Sequence, residues 1–486
     1  MQFLTQILPF LITGVATATP CSNNDTVLER DVVVIGGGSS GTYAAMRLMD
    51  QGHSVVVLEK NDHLGGHTVT YTDPDTNQPF NLGVVVYHNS SIVRDYFGSL
   101  GVPLANVSFG GAEQVFVDLS TGRAVDGYTP VAPEALGAAI QKYAGIYTEK
   151  YPYLSLGYDV PNPVPEELLA PYADFIKDND LGDIVQQVNS IAGCNGNLLE
   201  RPTIYGLKVF SPLLVQAAAA GFINAASGNN LDLYRAAQGR LNDKESVVLQ
   251  SRIKKITRSQ DGVQVVVKTP KGRVVVKAKK LVLAIPPTID SLTSIGLDLT
   301  SEETELFSKF KGFLYGSTVF THQGIDTKRS FGNIGTNTPY NLLTLPGSYS
   351  IGPLLAGNVS TNKLSAYFGG LDPDLTEQDI KDLVKGELDN LAKAGTIGQG
   401  EPDFKYFGNH APYHIHVSPE DIREGFYSKL YKLEGQKNTF WTGAAFVDND
   451  STLIWTWTES YLLKLIQDSL NCGVSFESAY RKKETE

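Results

Sequence analysis

The chain has 486 residues, 42% hydrophobic and 19% charged, with 47 Gly and 24 Pro dispersed along it. This composition excludes a disordered, collagen-like or long coiled-coil protein and favours two or three domains around a large buried interior. Forty Lys and Arg against 52 Asp and Glu leave a net charge of −12, which disfavours nucleic acid, whose phosphates require a basic face.

In chain order, the first twenty residues come before any fold. The apolar run Ile7–Val15 ends in Ala16-Thr17-Ala18, small residues at signal-peptidase spacing, so 1–18 is expected to be a signal peptide and the protein secreted, although the n-region lacks Lys and Arg. Asn-X-Ser/Thr sequons at Asn24, Asn89, Asn106, Asn358 and Asn449 agree with that route. Asn24, Asn106 and Asn358 are the expected glycan sites, because Asn89 and Asn449 fall in segments expected beside a cofactor. Cys21, Cys194 and Cys472 form no CxxC pattern; one disulfide is allowed, its pairing is open, and no metal is expected. No later apolar stretch reaches membrane-spanning length, since Gln216 and Asn224 interrupt Leu213–Ala226.

Asp31–Ile35 reads as a buried parallel strand. It enters Gly36-Gly37-Gly38-Ser39-Ser40-Gly41, a helical stretch with Ala44, Ala45, Leu48 and Met49 follows, and Ser54–Leu58 reads as a second strand ending at Glu59. Strand, Gly-x-Gly-x-x-Gly, helix, strand and acid in this order predict a dinucleotide site. Gly36 permits the turn, Gly38 lets a pyrophosphate approach the backbone, and Gly41 lets helix and strand pack. Ser39 lies at the helix N-terminus, whose amides face the phosphates. Glu59, with Lys60 beside it, is placed to bond the adenosine ribose.

A second glycine pair, Leu64-Gly65-Gly66-His67, follows the ribose acid. A long cofactor with a flavin beyond its pyrophosphate needs this second close approach. Here the chain resembles the flavin-containing amine oxidase superfamily, which usually has Arg where His67 stands, and within it the fungal β-cyclopiazonate dehydrogenase family. The resemblance continues through Asn81-Leu82-Gly83-Val84 and Tyr87-His88-Asn89, and through the strand-like 245–258 and 262–276 that lead into Leu281–Pro287. It ends with Phe440–Phe446 and the helix start at Ser451–Ile454. It implies FAD as cofactor, with Gly83, Val84, Ile253, Gly443, Ala444, Leu453 and Ile454 joining the glycine loops around it. It further suggests covalent attachment of the flavin through a histidine, for which His67 and His88 are the candidates.

The expected fold is α/β (α+β): a discontinuous Rossmann-type FAD-binding domain (28–108, 236–298 and 402–472) with an interleaved mixed substrate-binding domain (109–235 and 299–401). Within the inserts, helices are expected around Leu213–Ala226 and over Thr376–Ala394, the latter capped by Thr376 with Asp379 three residues on. Tyr87, His88, His410, Tyr413 and Trp455 are the pocket candidates. Trp455 and Trp457 are expected mainly to pack. His410, His414 and His416 are expected to be structural or pocket-lining rather than metal ligands. Activity follows from the resemblance: a flavin enzyme takes a hydride from a lipophilic small molecule, a fungal secondary metabolite, with coupled cyclisation or desaturation, and passes electrons to O2 or another acceptor. A double-bond isomerase acting on polyenes or fatty acids and a generic amine oxidase are the alternatives.

Overall fold

The computed structural model describes residues 25–108, 111–192, 196–354 and 361–471. The signal segment, all three cysteines, Asn24 and Asn358 lie outside the described residues. The N-terminal strand β1 (Thr26–Ile35), helix α1 (Ser39–Asp50) and strand β2 (Val55–Leu58) form a βαβ unit in which β1 and β2 run parallel. Val32, Val33, Val34, Val55, Val56 and Val57 are almost wholly buried, as β-branched residues are in a parallel sheet covered on both faces.

Among the described residues, seven strands make the sheet that contains β1. Its other strands come from far along the chain: Val247–Val248 beside β2, the antiparallel group Arg252–Ser259, Gly262–Thr269 and Gly272–Leu283 beside β1, and Thr439–Trp441. Gly272–Leu283 pairs with β1 over most of its length and, on its other side, passes from the antiparallel strand 262–269 to the parallel strand 439–441. Expected strand-like continuity over 262–276 is broken at Thr269–Gly272, where Pro270 and Gly272 (φ +128°) turn the chain into another hairpin.

Among the described residues, an eight-stranded sheet is built from strands within 113–124, 311–321, 329–333, 347–353, 364–370 and 403–416, mostly antiparallel. Helix Glu377–Lys393 covers it, burying Ile380, Val384, Leu388 and Leu391 against Leu314, Phe331, Ile351 and Phe368. Thr376 and Asp379 form the reciprocal capping box at its start. Two expectations are corrected here. Strands Asp403–Asn409 and Tyr413–His416 pair with Lys311–Thr321, so they belong to this second sheet and not to the nucleotide-binding sheet, as the 402 boundary had it. The helix expected over Leu213–Ala226 is Pro212–Ala220, ended by Gly221 at φ +83°, after which Ile223–Ala225 pairs as a strand with Leu104–Asn106. Thr203–Ala220 is apolar enough to span a membrane by length, but more than half of it is buried, and it is split into the helices Thr203–Val209 and Pro212–Ala220.

Candidate functional site

The site starts where β1 ends. A Cβ on Gly41 would lie 1.9 Å from the Gly36 carbonyl oxygen, so α1 packs against the turn only with glycine there. No acidic residue occupies the first turn of α1 and no side chain caps it at Gly38, which leaves its amide dipoles to an anion. Glu59, 5% exposed, is held at the end of β2: its Oε2 accepts the Gly37 N–H at 2.7 Å and its Oε1 accepts the Asn61 N–H at 2.9 Å. Each carboxylate oxygen keeps further acceptor capacity for a ribose hydroxyl. The Ser251 N–H donates to the Glu59 carbonyl at 2.8 Å, which sets Ile253, two residues on in its strand, close to this corner.

The second glycine loop folds back onto the first. Gly65 N–H donates to Gly37 O at 2.8 Å. Gly66 sits at φ +56°, and a Cβ on it would lie 2.7 Å from Gly38 Cα, whereas a Cβ on Gly38 would meet only Gly66 Cα, at 3.6 Å. The two backbones thus form a cradle that one added methyl group would begin to fill. Lys60 is exposed beside it. His67 keeps accessible surface, yet protein surrounds its ring: burial, followed by the charge of Lys60, pulls it down to about 4.

Beyond His67 the rings form a cluster. His67 and His410 stack at 4.9 Å between centroids, and Tyr413 lies 6.3 Å from His67 and 4.8 Å from Tyr315. Gly83 abuts the same imidazole, since a Cβ there would come within 2.8 Å of His410 Cε1. Burial, then His67, holds His410 down at about 3. The Asn230 side chain donates to the carbonyls of Val84 and Val85 at 2.8 and 3.1 Å, fixing the segment after Gly83. His410, His414 and His416 do not converge: His414 faces Asp448 at 3.7 Å and His416 stacks on Phe313 at 4.5 Å.

The C-terminal segment returns to the glycine loop. A Cβ on Gly443 would meet Ser40 Oγ at 3.5 Å, and Ser39 Oγ donates to Ser451 Oγ at 2.9 Å. Asp450 caps the helix Ser451–Trp457 by accepting the Leu453 N–H at 3.0 Å, with Leu453 and Ile454 buried behind it. The first amides of this helix and of α1 therefore converge. These features fit FAD: a cradle lined by Gly38 and Gly66, an orienting Glu59, and two helix N-termini beside each other.

Two pocket candidates are corrected. Tyr87 (1% exposed) and Trp455 (0%) are core residues. They stack on each other at 5.6 Å, Trp455 also stacks on Tyr43, and its indole N–H donates to Ser39 Oγ at 3.0 Å. Their sequence neighbours line the site, while their own side chains point into the packing behind α1.

A small recess, with room for about one water molecule, went unnoticed in the sequence. Ala444, Asp448 and Asn449 form one wall, and Tyr158, Arg201, Tyr205, Lys208 and His414 the rest. Lys208, 2% exposed, donates to the carbonyls of Leu154, Leu156 and Gly157 at 3.0, 3.2 and 3.2 Å and so fixes the loop before Tyr158. Burial lowers Lys208 to about 8 and, against the pull of Lys208, raises Asp448 to about 6. One sequence signal pointed here: Lys208 is the lone charge between Thr203 and Ala220, an otherwise apolar stretch.

A family model described as flavin containing amine oxidoreductase matches residues 39–444. The chain is 36% identical to the FAD-dependent oxidoreductase oblC of Cochliobolus heterostrophus, covering 95% of this chain and 99% of that one. It is 34% identical to the beta-cyclopiazonate dehydrogenase of Aspergillus oryzae, over 92% and 95% respectively. Among solved structures, a CLA-producing fatty acid isomerase from P. acnes superposes with a TM-score of 0.70 at 20% identity, covering 90% of this chain and 98% of that one. A putrescine oxidase double mutant gives a TM-score of 0.63 at 15% identity, covering 91% and 100%. At these identities the two structures bear on the fold.

Proposed function

Because the chain belongs to the flavin-containing amine oxidoreductase family and is an FAD-dependent oxidoreductase, we propose that it is a secreted enzyme that oxidises a lipophilic small molecule, a fungal secondary metabolite, with a coupled ring closure or desaturation. FAD, when bound, supplies the two-electron acceptor for a C–H bond of the substrate. The chain's own residues supply the rest. Gly38, Gly66 and the start of α1 hold the diphosphate, and Glu59 the ribose. The observation that carries the reading is that Tyr158 and Tyr205 of the inserted helical region face Ala444 of the C-terminal segment, aromatic rings of the kind that a lipophilic substrate packs against. Similarity to the beta-cyclopiazonate dehydrogenase, 34% identical over 92% of this chain, supports the substrate class. Tyr315, His410 and Tyr413 exclude water from the other side, with His410 neutral at physiological pH.

The test is anaerobic mixing of the purified protein with a panel of indole alkaloids, terpenoids and common amines while the visible flavin spectrum is followed. Bleaching by a lipophilic polycycle, reversed by O2 with formation of an oxidised product, is expected. A colourless protein, or bleaching by simple amines alone, refutes the reading; conversion without net consumption of an acceptor identifies a redox-neutral isomerase instead. Acid precipitation of the same preparation tests covalent attachment: the yellow colour stays in the pellet, and of His67→Ala and His88→Ala the variant that releases it identifies the linking residue. For secretion, the protein recovered from culture medium is expected to begin at Thr19.

A further inference from the structure

Trp455 is buried in the core, yet its indole N–H is spent on one residue of the cofactor loop, shared between Ser39 Oγ at 3.0 Å and the Ser39 carbonyl oxygen at 3.3 Å. Ser39 Oγ in turn donates to Ser451 Oγ at 2.9 Å. The three groups join the two ends of the fold: Ser39 is the first residue of α1, and Ser451 and Trp455 lie on one face of the helix Ser451–Trp457. Stacking on Tyr43 at 5.3 Å and on Tyr87 at 5.6 Å, with Tyr96 edge-on at 5.0 Å, holds the indole in place.

The first member of this chain of bonds sets its direction. An indole nitrogen only donates, so Ser39 Oγ accepts from it and passes its own hydrogen to Ser451. Ser451 Oγ is then an acceptor toward Ser39, and its own hydroxyl hydrogen meets no acceptor among the described residues. The carboxylate next in sequence, Asp450, is committed elsewhere, Oδ1 to the Leu453 N–H and Oδ2 to His88. Gly38 and Ser39 keep accessible surface while Gly36, Gly37 and 40–46 are buried, and Ser451 keeps it while 452–455 are buried. The open side of both segments is therefore the Gly38–Gly66 cradle. A tie that served only to join two helices would close on itself, with its last hydrogen on a carbonyl of the chain. Here the last hydrogen is unspent beside an anion site, and each bond behind it strengthens it as a donor.

We propose that Trp455, Ser39 and Ser451 form a one-way hydrogen-bond relay whose last hydrogen, on Ser451, is donated to a diphosphate oxygen of bound FAD. Ser451 is the binding residue; Trp455 is a positioning residue that acts through Ser39 without touching the cofactor. The inference deepens the proposed function and rests on its FAD site.

Phosphorus NMR of the holoenzyme tests it, because the two phosphorus atoms of FAD report their own hydrogen bonds whether or not the flavin is covalently attached. Ser451→Ala should displace one of the two resonances, and Ser451→Thr, which restores a hydroxyl, should return it. Trp455→Phe keeps a stacked ring and removes the N–H; it should displace the same resonance in the same direction, by less. Where the flavin is released by acid, titration of the flavin-free protein should show FAD binding weakened about tenfold or more in Ser451→Ala, as loss of a hydrogen bond to a charged group does. Packing alone would leave both resonances in place. Resonances unmoved in Ser451→Ala or in Trp455→Phe, displacement of different resonances by the two, a Ser451→Thr that behaves as Ser451→Ala, or FAD affinity within about twofold of native in Ser451→Ala each overturns the proposal. Should Trp455→Phe fail to fold, Ser39→Ala cuts the relay at its middle and should displace the same resonance. A protein that holds no flavin instead defeats the reading on which the proposal rests, so the two failures are distinct.

Discussion

His88 Nε2 lies 2.8 Å from Asp450 Oδ2, joining the segment that follows Gly83 to the cap of the helix Ser451–Trp457. Burial alone would lower the imidazole, but the charge and the hydrogen bond of Asp450 together outweigh it and raise His88 above its ordinary value, while His88 helps to hold Asp450 below its own. Stability from a raised histidine is fully present below about 6.5, its unfolded value, and is lost as pH rises through the folded value. Asp450→Asn keeps a competent cap and removes the charge. The variant should therefore titrate His88 at lower pH by NMR and lose this alkaline-side slope, whereas Asp450→Ala should cost about 1 kcal/mol more through the lost cap.

The glycine cradle yields a pair of opposite outcomes. A methyl group on Gly38 meets only Gly66 Cα, at ordinary contact distance, so Gly38→Ala should leave the melting temperature of the flavin-free protein nearly unchanged and weaken FAD binding at least about tenfold by occupying the pyrophosphate approach. Gly66→Ala places its methyl group 2.7 Å from Gly38 Cα at φ +56° and should destabilise the flavin-free protein itself by roughly 1–2 kcal/mol. Thermal melts with and without FAD distinguish the two.

Arg258 is buried with Glu303 in a bidentate pair, both N···O distances 2.7 Å, and also binds the Asp298 carboxylate at 2.7 Å and Thr439 at 3.3 Å. It ties the strand Arg252–Ser259 to the strand that precedes Gly443. Arg258→Met leaves the Glu303 carboxylate buried without its cation, and about 3–5 kcal/mol of stability should be lost. Adding Glu303→Gln should restore part of it. Urea midpoints of the single and double variants measure both changes.

His410, 4% exposed, is held at about 3 by burial and by His67. A histidine with a depressed folded value stays neutral above 6.5 and costs stability as pH falls from there toward 3. The holoenzyme should lose stability over this window, with roughly 5 kcal/mol as the ceiling from His410. His410→Phe, which keeps a ring against Gly83 and His67, should flatten the acid limb of a plot of melting temperature against pH. An unchanged acid limb would count against this assignment.

How far the site is legible depends on how far apart its parts lie. From Asp31 to Glu59, strand, turn, helix, strand and acid can all be read, because each is set by neighbours a few residues away: a β-branched run, a glycine turn, a helix stretch and a second β-branched run. The Thr376 cap is legible for the same reason. Tyr87 and Trp455 are misleading because nearness in sequence to Gly83 and Ser451 does not say which way a ring points, and packing against Tyr43 and Phe97 turns both inward. Tyr315 carries no local mark, since only the pairing of 311–321 with 413–416 brings it to Tyr413.

By itself, the sequence determined the chemistry of the cofactor loop and the family, since both rest on short motifs in a fixed order whose backbone demands are local. Tertiary structure alone decided what stands opposite that loop. Arg201, Lys208 and Asp448 come from two distant stretches of chain, and only folding puts two cations and one carboxylate around one recess. Burial changes their meaning as well: in water Lys208 and Asp448 are ordinary surface charges, but enclosed between Tyr158 and Ala444 each feels a desolvation cost and a neighbour's field that no linear reading contains.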